Sequence, residues 1–318
     1  MSIKIDLKDK KLLKELDLNC RQSNQQIARK IGLSKDAVAY RITKLEQNKI
    51  ITNYRTIINF QILGFTQYRV LLQLININEK TEQELIKTLK QEKLVWGIGL
   101  NEGEWDLAFT CLTKSNIEFH KFNERLKSKF RHNIKEEHIS EIIKYQEFPR
   151  TYLTNEKRKI QEKIIFNKET KTIDETDHQI LELLANNARI KLINIASKLK
   201  LSSMLIHQRI KKLEEKQIIT GYKANLQVIE LGRDYYGLKL NLNNYSEKEK
   251  IITEIQKMPE MTAILWTIGG YDIEFDLEVK DTKEYQQITN KLRNKFESIQ
   301  EIKFIRAKEY FKLNHMPK

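Results

Sequence analysis

Apolar residues recur along this chain with two alternating periods. Leu12, Leu13 and Leu16 fall on one face at helical spacing and predict a helix over 9–18. Ile27, Ala28 and Ile31 predict a second helix over 24–31, which Gly32 ends because glycine tolerates the positive φ of a helix terminus. Ser34 is a natural N-cap for a third helix, whose inner face is Val38, Ile42 and Leu45. A short β run from Ile50-Ile51 to Ile57-Ile58 follows and suits a wing. Beyond it the pattern changes: a strand over 67–77, an amphipathic helix over 79–91, and strands over 95–100 and 105–112 joined through 101–104. A helix over 115–130 and a strand over 134–143 complete the series. The order βαββαβ is that of a ferredoxin-like split βαβ unit.

The pattern then repeats. Residues 5–64 align with 173–232 at a constant shift of 168, without gaps, and 23 of the 60 positions are identical. After a two-residue slip, Gly103-Glu104-Trp105-Asp106 falls on Gly269-Gly270-Tyr271-Asp272. In the second copy the βαββαβ elements are expected over 235–242, 247–257, 262–268, 272–279, 282–295 and 301–307. Such register is not kept by two unrelated amphipathic stretches, so the chain is an internal duplication. The expected fold is α+β: two tandem repeats of a winged helix-turn-helix followed by a ferredoxin-like effector or oligomerisation domain. The units are 1–65, 66–143, a basic linker 144–172, 173–233 and 234–318. A sheet with helices on one face needs a partner for the other, and a second sheet of the same kind is the obvious candidate.

Charge sharpens this division. The net +14 is concentrated in the front of each repeat, with +7 in residues 1–65 and +3 in 173–233, and in the linker, with +4. Residues 66–143 are neutral and 234–308 carry −1. Segregation of this kind favours an anion-binding front half over a diffuse solubility charge. No run approaches the roughly 18 apolar residues of a membrane span, and the start of the chain does not read as a signal peptide. Cys20 and Cys111 are far apart and unaccompanied, so a reducing cytoplasm is the expected setting.

Two short helices joined by a tight turn, the second capped by Ser and basic outside, form a helix-turn-helix. An α-helix fits the major groove of double-stranded DNA, and nearby cations neutralise phosphates. The candidate DNA contacts in the first copy are Ser34, Lys35, Asp36, Tyr40, Arg41, Lys44 and Arg55. In the second they are Ser202, Ser203, His207, Gln208, Arg209, Lys212 and Lys223. Arg41 and Arg209 fit two roles, a phosphate contact or a brace to an acidic neighbour. The second copy departs from the first in its turn, where Lys200 replaces glycine and must either adopt a disfavoured conformation or shift the turn. Its helix carries Met204 and Leu205, which suit thymine methyls or a protein surface equally.

With its βαββαβ partner, this string of residues resembles the Lrp/AsnC family of feast/famine regulators, twice over and across about nine-tenths of the chain. Asp9, Leu12-Leu13, Arg21, Ile27-Ala28, Gly32-Leu33-Ser34, Arg41-Ile42, Leu45-Glu46, Ile50-Ile51, Tyr54 and Leu63-Gly64 carry the resemblance. Gly103, Trp105 and Asp106, with Gly269, Gly270, Tyr271 and Asp272, look like the family's effector-domain turn. The resemblance implies a cytoplasmic, sequence-specific DNA-binding transcription regulator that oligomerises through its α/β domains and responds to an amino acid or similar metabolite, without a cofactor. Two modules in one chain imply a covalent version of the family's dimer, or half of a larger ring. Glu102, Glu104 and Asp106 in the first turn would prefer a cationic ligand, and simple exposed turns are the alternative.

The remaining chemistry is sparse. His120, His132, His138, His178, His207 and His315 show no metal-ligand spacing, and Trp96, Trp105 and Trp266 sit in or beside predicted strands, where they suit packing. No catalytic triad, phosphate-binding glycine loop or paired catalytic carboxylates can be placed, so an enzyme is not expected. Two other functions fit the domain order. One is a DNA-free partner subunit. The other is a haem-pathway decarboxylase, for which no cluster of His and Arg is visible in the α/β halves. The basic stretch 155–166 reads as either a connecting helix or a solvated spacer.

Overall fold

A computed structural model describes residues 5–156, 158, 169–312 and 316. In the first repeat α1 (Leu7–Asn19), α2 (Asn24–Ile31) and α3 (Lys35–Gln47) are each capped by a side chain. Asp6 accepts from Asp9 N at 2.7 Å, Ser23 from Gln26 N at 3.2 Å and Ser34 from Ala37 N at 3.1 Å, each satisfying a backbone donor the helix leaves free. β1 (Ile51–Ile58) leads into β2 (Thr66–Leu74), α4 (Glu79–Gln91), β3 (Val95–Gly103), β4 (Leu107–Thr113), α5 (Asn116–Lys129) and β5 (Ile134–Glu147).

The second repeat follows the same order. It has α6 (Glu175–Asn186), α7 (Leu192–Leu199), α8 (Ser203–Glu215) and β6 (Ile219–Leu226). Then come β7 (Asp234–Leu242), α9 (Lys248–Gln256), β8 (Met261–Ile268), β9 (Ile273–Val279), α10 (Thr282–Lys295) and β10 (Ile299–Lys312).

The expected wings take a different form. β1 pairs with β6 of the other repeat, antiparallel from Ile51↔Leu226 to Ile58↔Ile219, so the two make one shared two-stranded sheet. The physical reason is that neither repeat supplies a second strand there, and an unpaired strand would leave its N–H and C=O groups unsatisfied. The pairing brings both helix-turn-helix units onto one continuous hydrophobic core, in which Leu12, Leu13, Leu16, Ile27 and Val38 are buried together with Ile180, Leu181, Leu184, Ile195 and Ile206. Arg21 and Arg189 cross reciprocally. Arg21 Nη1 donates to Ala188 O at 2.7 Å, and Arg189 Nη1 donates to Cys20 O at 2.5 Å.

The other strands close into one eight-stranded barrel, β3-β4-β2-β5-β8-β9-β7-β10 and back to β3. Its seams join the repeats: β5 runs against β8 from Glu141↔Ile268 to Glu147↔Ala263, and β10 against β3 from Ile305↔Gly103 to Lys312↔Gly97. The sheet faces not covered by helices therefore meet each other inside the chain. α4 and α5 pack outside the first four strands over Val70, Leu72, Ile98, Leu107 and Phe109. Leu238, Leu240, Phe275 and Leu277 form the matching outer core of the second four, beneath Ile251, Ile252 and Ile255 of α9 and Leu292 of α10.

The seams explain why β5 and β10 run to 14 residues each, longer than their apolar pattern predicts. Their far halves pair with the opposite repeat, and no local periodicity records that. Residues 144–147, expected as the start of a linker, thus belong to β5. Arg150 and Tyr152, also within the expected linker, are tied to the fold. Arg150 donates to Asp17 Oδ1 of α1 at 2.6 Å and, bidentate at 2.8 Å, to Glu278 of β9. Tyr152 also donates to Glu278, at 2.5 Å. Most of the stretch 155–166 lies outside the described residues. Among the described residues no helix is long and apolar enough to cross a membrane.

Candidate nucleic-acid interface

The second helix of each helix-turn-helix turns one face into the shared core and one outward. On α3, Val38, Ile42 and Leu45 are buried, while Ser34, Lys35, Asp36, Tyr40 and Lys44 are exposed, Tyr40 by 70%. On α8, Ile206, Ile210 and Leu213 are buried, and Ser202, Ser203, Met204, His207, Gln208 and Lys212 are exposed, with Leu205 half-buried. Lys35, Lys44 and Lys212 make no ion pair among the described residues, so their charges are available to an anion. Ser34 and Ser202 spend an oxygen lone pair on the cap, at 3.1 and 3.2 Å, but keep the hydroxyl proton to donate.

The turn before each helix is the same despite the different residue. Gly32 has φ 67° and ψ 56°, and Lys200 takes φ 55° and ψ 41°. Lys200 therefore accepts the disfavoured left-handed conformation and leaves the turn geometry intact, at a cost of roughly 1 kcal/mol against glycine.

Four groups expected at the DNA face are placed elsewhere. Arg41 Nη1 donates to Asp6 at 2.8 Å and Asp9 at 2.6 Å, and Arg209 Nη1 donates to Asp174 at 2.7 Å and Asp177 at 2.8 Å. Both arginines are braces that tie the recognition helix to the start of α1 or α6. The backbone hydrogen bond from Asp9, with Arg41 beside it, holds the Asp6 carboxyl below its usual range, and Arg209 does the same to Asp174. Arg55 points from β1 toward the barrel, where its Nη2 meets both oxygens of Glu147 at 2.6 and 2.5 Å and its Nε donates to Asn225 at 2.6 Å. Lys223, its counterpart on β6, is buried 3.3 Å from Glu147 and 3.4 Å from Asp17. A basic residue on a short strand reads as a phosphate contact only while the strand is taken for an exposed wing. Once β1 pairs with β6, that face lies on the barrel.

The effector-type turns also find their roles. Asp106 Oδ2 accepts from Leu74 N and Asp272 Oδ2 accepts from Leu242 N, each at 2.7 Å, closing the equivalent strand end in each repeat. Glu104 is paired with Lys303 at 2.8 Å, and Glu102 lies 3.5 Å from Arg306 and from Lys308. Two of the three carboxylates expected to attract a cation, Glu102 and Glu104, thus already face cations of β10, and the third, Asp106, is held by the Leu74 N–H. Trp105 Nε1 donates to Tyr271 Oη at 3.1 Å, so the two turns meet across one end of the barrel, with the His138 ring 5.9 Å from Trp105 and 5.3 Å from Tyr271. Gly103 is at φ 114° and Gly269 at φ 75°, while a Cβ on Gly270 would collide with Thr267.

Behind that closure is a set of groups the sequence did not reveal. Arg69 of β2 pairs with Glu274 of β9, beside Lys239 of β7, and all three point inward. Lys239 is 2% exposed, and burial lowers its ammonium to about 8. Desolvation and the nearby Arg69 lower His138. Burial raises Asp276 to about 7. The expectation that no His and Arg would cluster in the α/β halves is therefore corrected. Arg69 and His138 come from one repeat, and Lys239, Glu274 and Asp276 from the other. The available signal was the alternation in Ile273-Glu274-Phe275-Asp276-Leu277-Glu278-Val279, where every residue is buried. Both cysteines are buried thiols, Cys20 pushed up to about 12, and among the described residues no group of side chains could hold a metal ion.

Comparison with known proteins finds a helix-turn-helix in each repeat. Residues 5–46 match the AsnC-type helix-turn-helix domain, and residues 173–220 match a winged helix-turn-helix DNA-binding domain. The chain is 34% identical over 122 residues to the proline dehydrogenase transcriptional activator of Rhodobacter capsulatus, covering 37% of this chain and 79% of that protein. It is 28% identical over 131 residues to the regulatory protein AsnC of Escherichia coli K12, covering 41% and 84%. The protein belongs to the Lrp/AsnC family. Over the whole chain, the crystal structure of the siroheme decarboxylase NirDL has the same fold, with a TM-score of 0.65, 12% identity, and coverage of 98% of this chain and 94% of that one.

Proposed function

We propose that the protein is a sequence-specific DNA-binding transcription regulator whose two family modules, fused in tandem, form one pseudo-symmetric unit. Each module reads as a helix-turn-helix at 1–65 or 173–233, followed by a ferredoxin-like domain at 66–143 or 234–318. The observation that carries this reading is the pair of outward recognition faces, each braced by an Arg–Asp pair and each bearing exposed lysine with no ion-pair partner among the described residues. A single-module relative would need two chains for two such faces. Here both are covalently joined, and because α3 and α8 differ, the operator should have two unequal half-sites. All sheet edges of the barrel are paired within the chain, so any larger homo-oligomer would use the helical outer faces. Selection of bound duplexes from a random pool, with and without each amino acid, tests the reading. Enrichment of an imperfect inverted repeat supports it, and a pool that stays random rejects it.

A second reading has one specific observation in its favour. The whole-chain fold is shared with a siroheme decarboxylase, and the barrel gathers Arg69, His138 and Lys239. Against it, Arg69 is already neutralised by Glu274 and Lys239 is buried, so neither is free to meet the carboxylates of a large macrocycle. Titration with iron-uroporphyrin, followed in the visible absorbance of the porphyrin, separates the two. No spectral change is expected, and a saturable shift would establish the enzyme-like reading.

A further inference from the structure

The barrel interior carries large charged side chains at one end and small residues at the other. At the Trp105–Tyr271 end the Arg69–Glu274 pair, Lys239 and His138 occupy the lumen. At the end beneath the β1–β6 sheet the inward positions are small: Gly97 and Gly99 on β3, Gly237 on β7 and Ala263 on β8. Three tyrosines face this space. Tyr310 lies over the two β3 glycines, where a Cβ on Gly97 would come within 2.6 Å of its hydroxyl. Tyr145 Oη reaches Asp276 Oδ2 at 3.4 Å, and Tyr235 hydrogen-bonds the same carboxyl. The roof is the Glu147–Arg55 pair.

Tyr145 is nevertheless 46% exposed and Tyr310 60%, although both point into the lumen. A tyrosine has roughly 200 Å² to bury, so about 200 Å² of tyrosine surface here remains solvent-accessible. Thr110, also inward, has a buried hydroxyl without a partner. The nearest acid, Asp276, has no ion-pair partner among the described residues, unlike Glu147, Glu274 and Glu278.

We propose that this end of the barrel is a binding chamber for a small organic ammonium ion, with Asp276 as its counter-charge and Tyr145, Tyr235 and Tyr310 as an aromatic cage. The chemistry follows from the lining. Tyrosine faces attract a cation through the ring quadrupole, and an unpaired buried carboxyl gains most from a charge of opposite sign. The chamber is distinct from the two effector-type turns, which close the opposite end of the barrel.

The test uses the full chain without DNA, so its result does not depend on the regulator reading. Choline and its neutral isostere 3,3-dimethylbutan-1-ol are titrated calorimetrically, against wild type, Tyr310→Leu and Asp276→Asn. Choline should bind, and the isostere should bind at least about tenfold more weakly. Both substitutions should weaken choline by a similar factor. Tyr310→Leu guards against a folding artefact, because that ring is largely solvent-accessible. No choline binding up to about 10 mM, a dissociation constant beyond the range of useful cation recognition, would overturn the proposal. So would equal binding of the isostere, or choline affinity unchanged in Tyr310→Leu.

Discussion

Arg55 separates the sequence reading from the structural one more sharply than any other residue. As a DNA contact it would neutralise one phosphate, and Arg55→Ala would flatten the slope of log affinity against log salt by about 0.9 while leaving the fold untouched. In the structure its guanidinium instead grips both oxygens of Glu147, at 2.6 and 2.5 Å, in a half-buried setting. Removing one partner of a buried pair costs about 3–5 kcal/mol. The low end, about 3 kcal/mol, is expected here, because Lys223 stays 3.3 Å from Glu147. For a chain of this size that lowers the melting temperature by about 4–5 °C.

The pH dependence has a definite sign. The Glu147 carboxyl is held well below its usual range by Arg55 and Lys223, against the opposing effect of burial. A depressed carboxyl contributes stability that is present above its unfolded value of about 4.3 and is lost as pH falls through the folded value. The gap between wild type and Arg55→Ala should therefore hold from pH 5 to 8 and shrink below about pH 4. Differential scanning calorimetry across pH, with salt-dependent DNA titrations of the same two proteins, gives both readouts. Unchanged melting with a slope flattened by about 1 would refute the brace and restore Arg55 to the DNA face.

Other consequences are equally open to measurement. Lys200→Gly should stabilise the protein by about 1 kcal/mol by relieving the left-handed lysine, less the extra entropy glycine gives the unfolded chain; chemical denaturation showing a loss would mean the lysine is held by something worth more. Residues 1–154 expressed alone should dimerise, since β1, β3 and β5 would each present an unpaired edge. A strictly monomeric fragment by light scattering would contradict the shared-barrel description. Asp276, raised to about 7 by burial, is a carboxyl whose ionisation opposes folding, so the stability of wild type relative to Asp276→Asn should fall as pH rises from about 4 to 7. A relative stability flat across that range would mean the carboxyl is not desolvated.

What could be read from the sequence was local, and what could not was the contact between repeats. Helices α2, α4 and α10 have the limits their apolar spacing and flanking Ser, Asn or Asp suggest, because caps and periodicity are properties of a few adjacent residues. The faces of α3 and α8 were legible for the same reason. Arg55 and Lys223 were misjudged because their partners, Glu147 and Asp17, lie far along the chain and in other elements. The polar lumen was invisible because alternating charge on a strand normally signals a solvated face. Closing two sheets edge to edge turned that face inward.

The two outward recognition faces stand or fall by their dependence on salt. Affinity for the selected operator should be measured from about 50 to 200 mM salt, where a few phosphate contacts change binding by orders of magnitude. Wild type is compared with Lys35→Ala/Lys44→Ala in α3 and with Ser203→Ala/Lys212→Ala in α8. The α3 pair removes two unpaired cations and should flatten the slope by about 2; the α8 pair removes one and should flatten it by about 1. Slopes that match wild type in both variants would mean that neither face meets DNA, and would contradict the assignment of this chain as a regulator that binds through them.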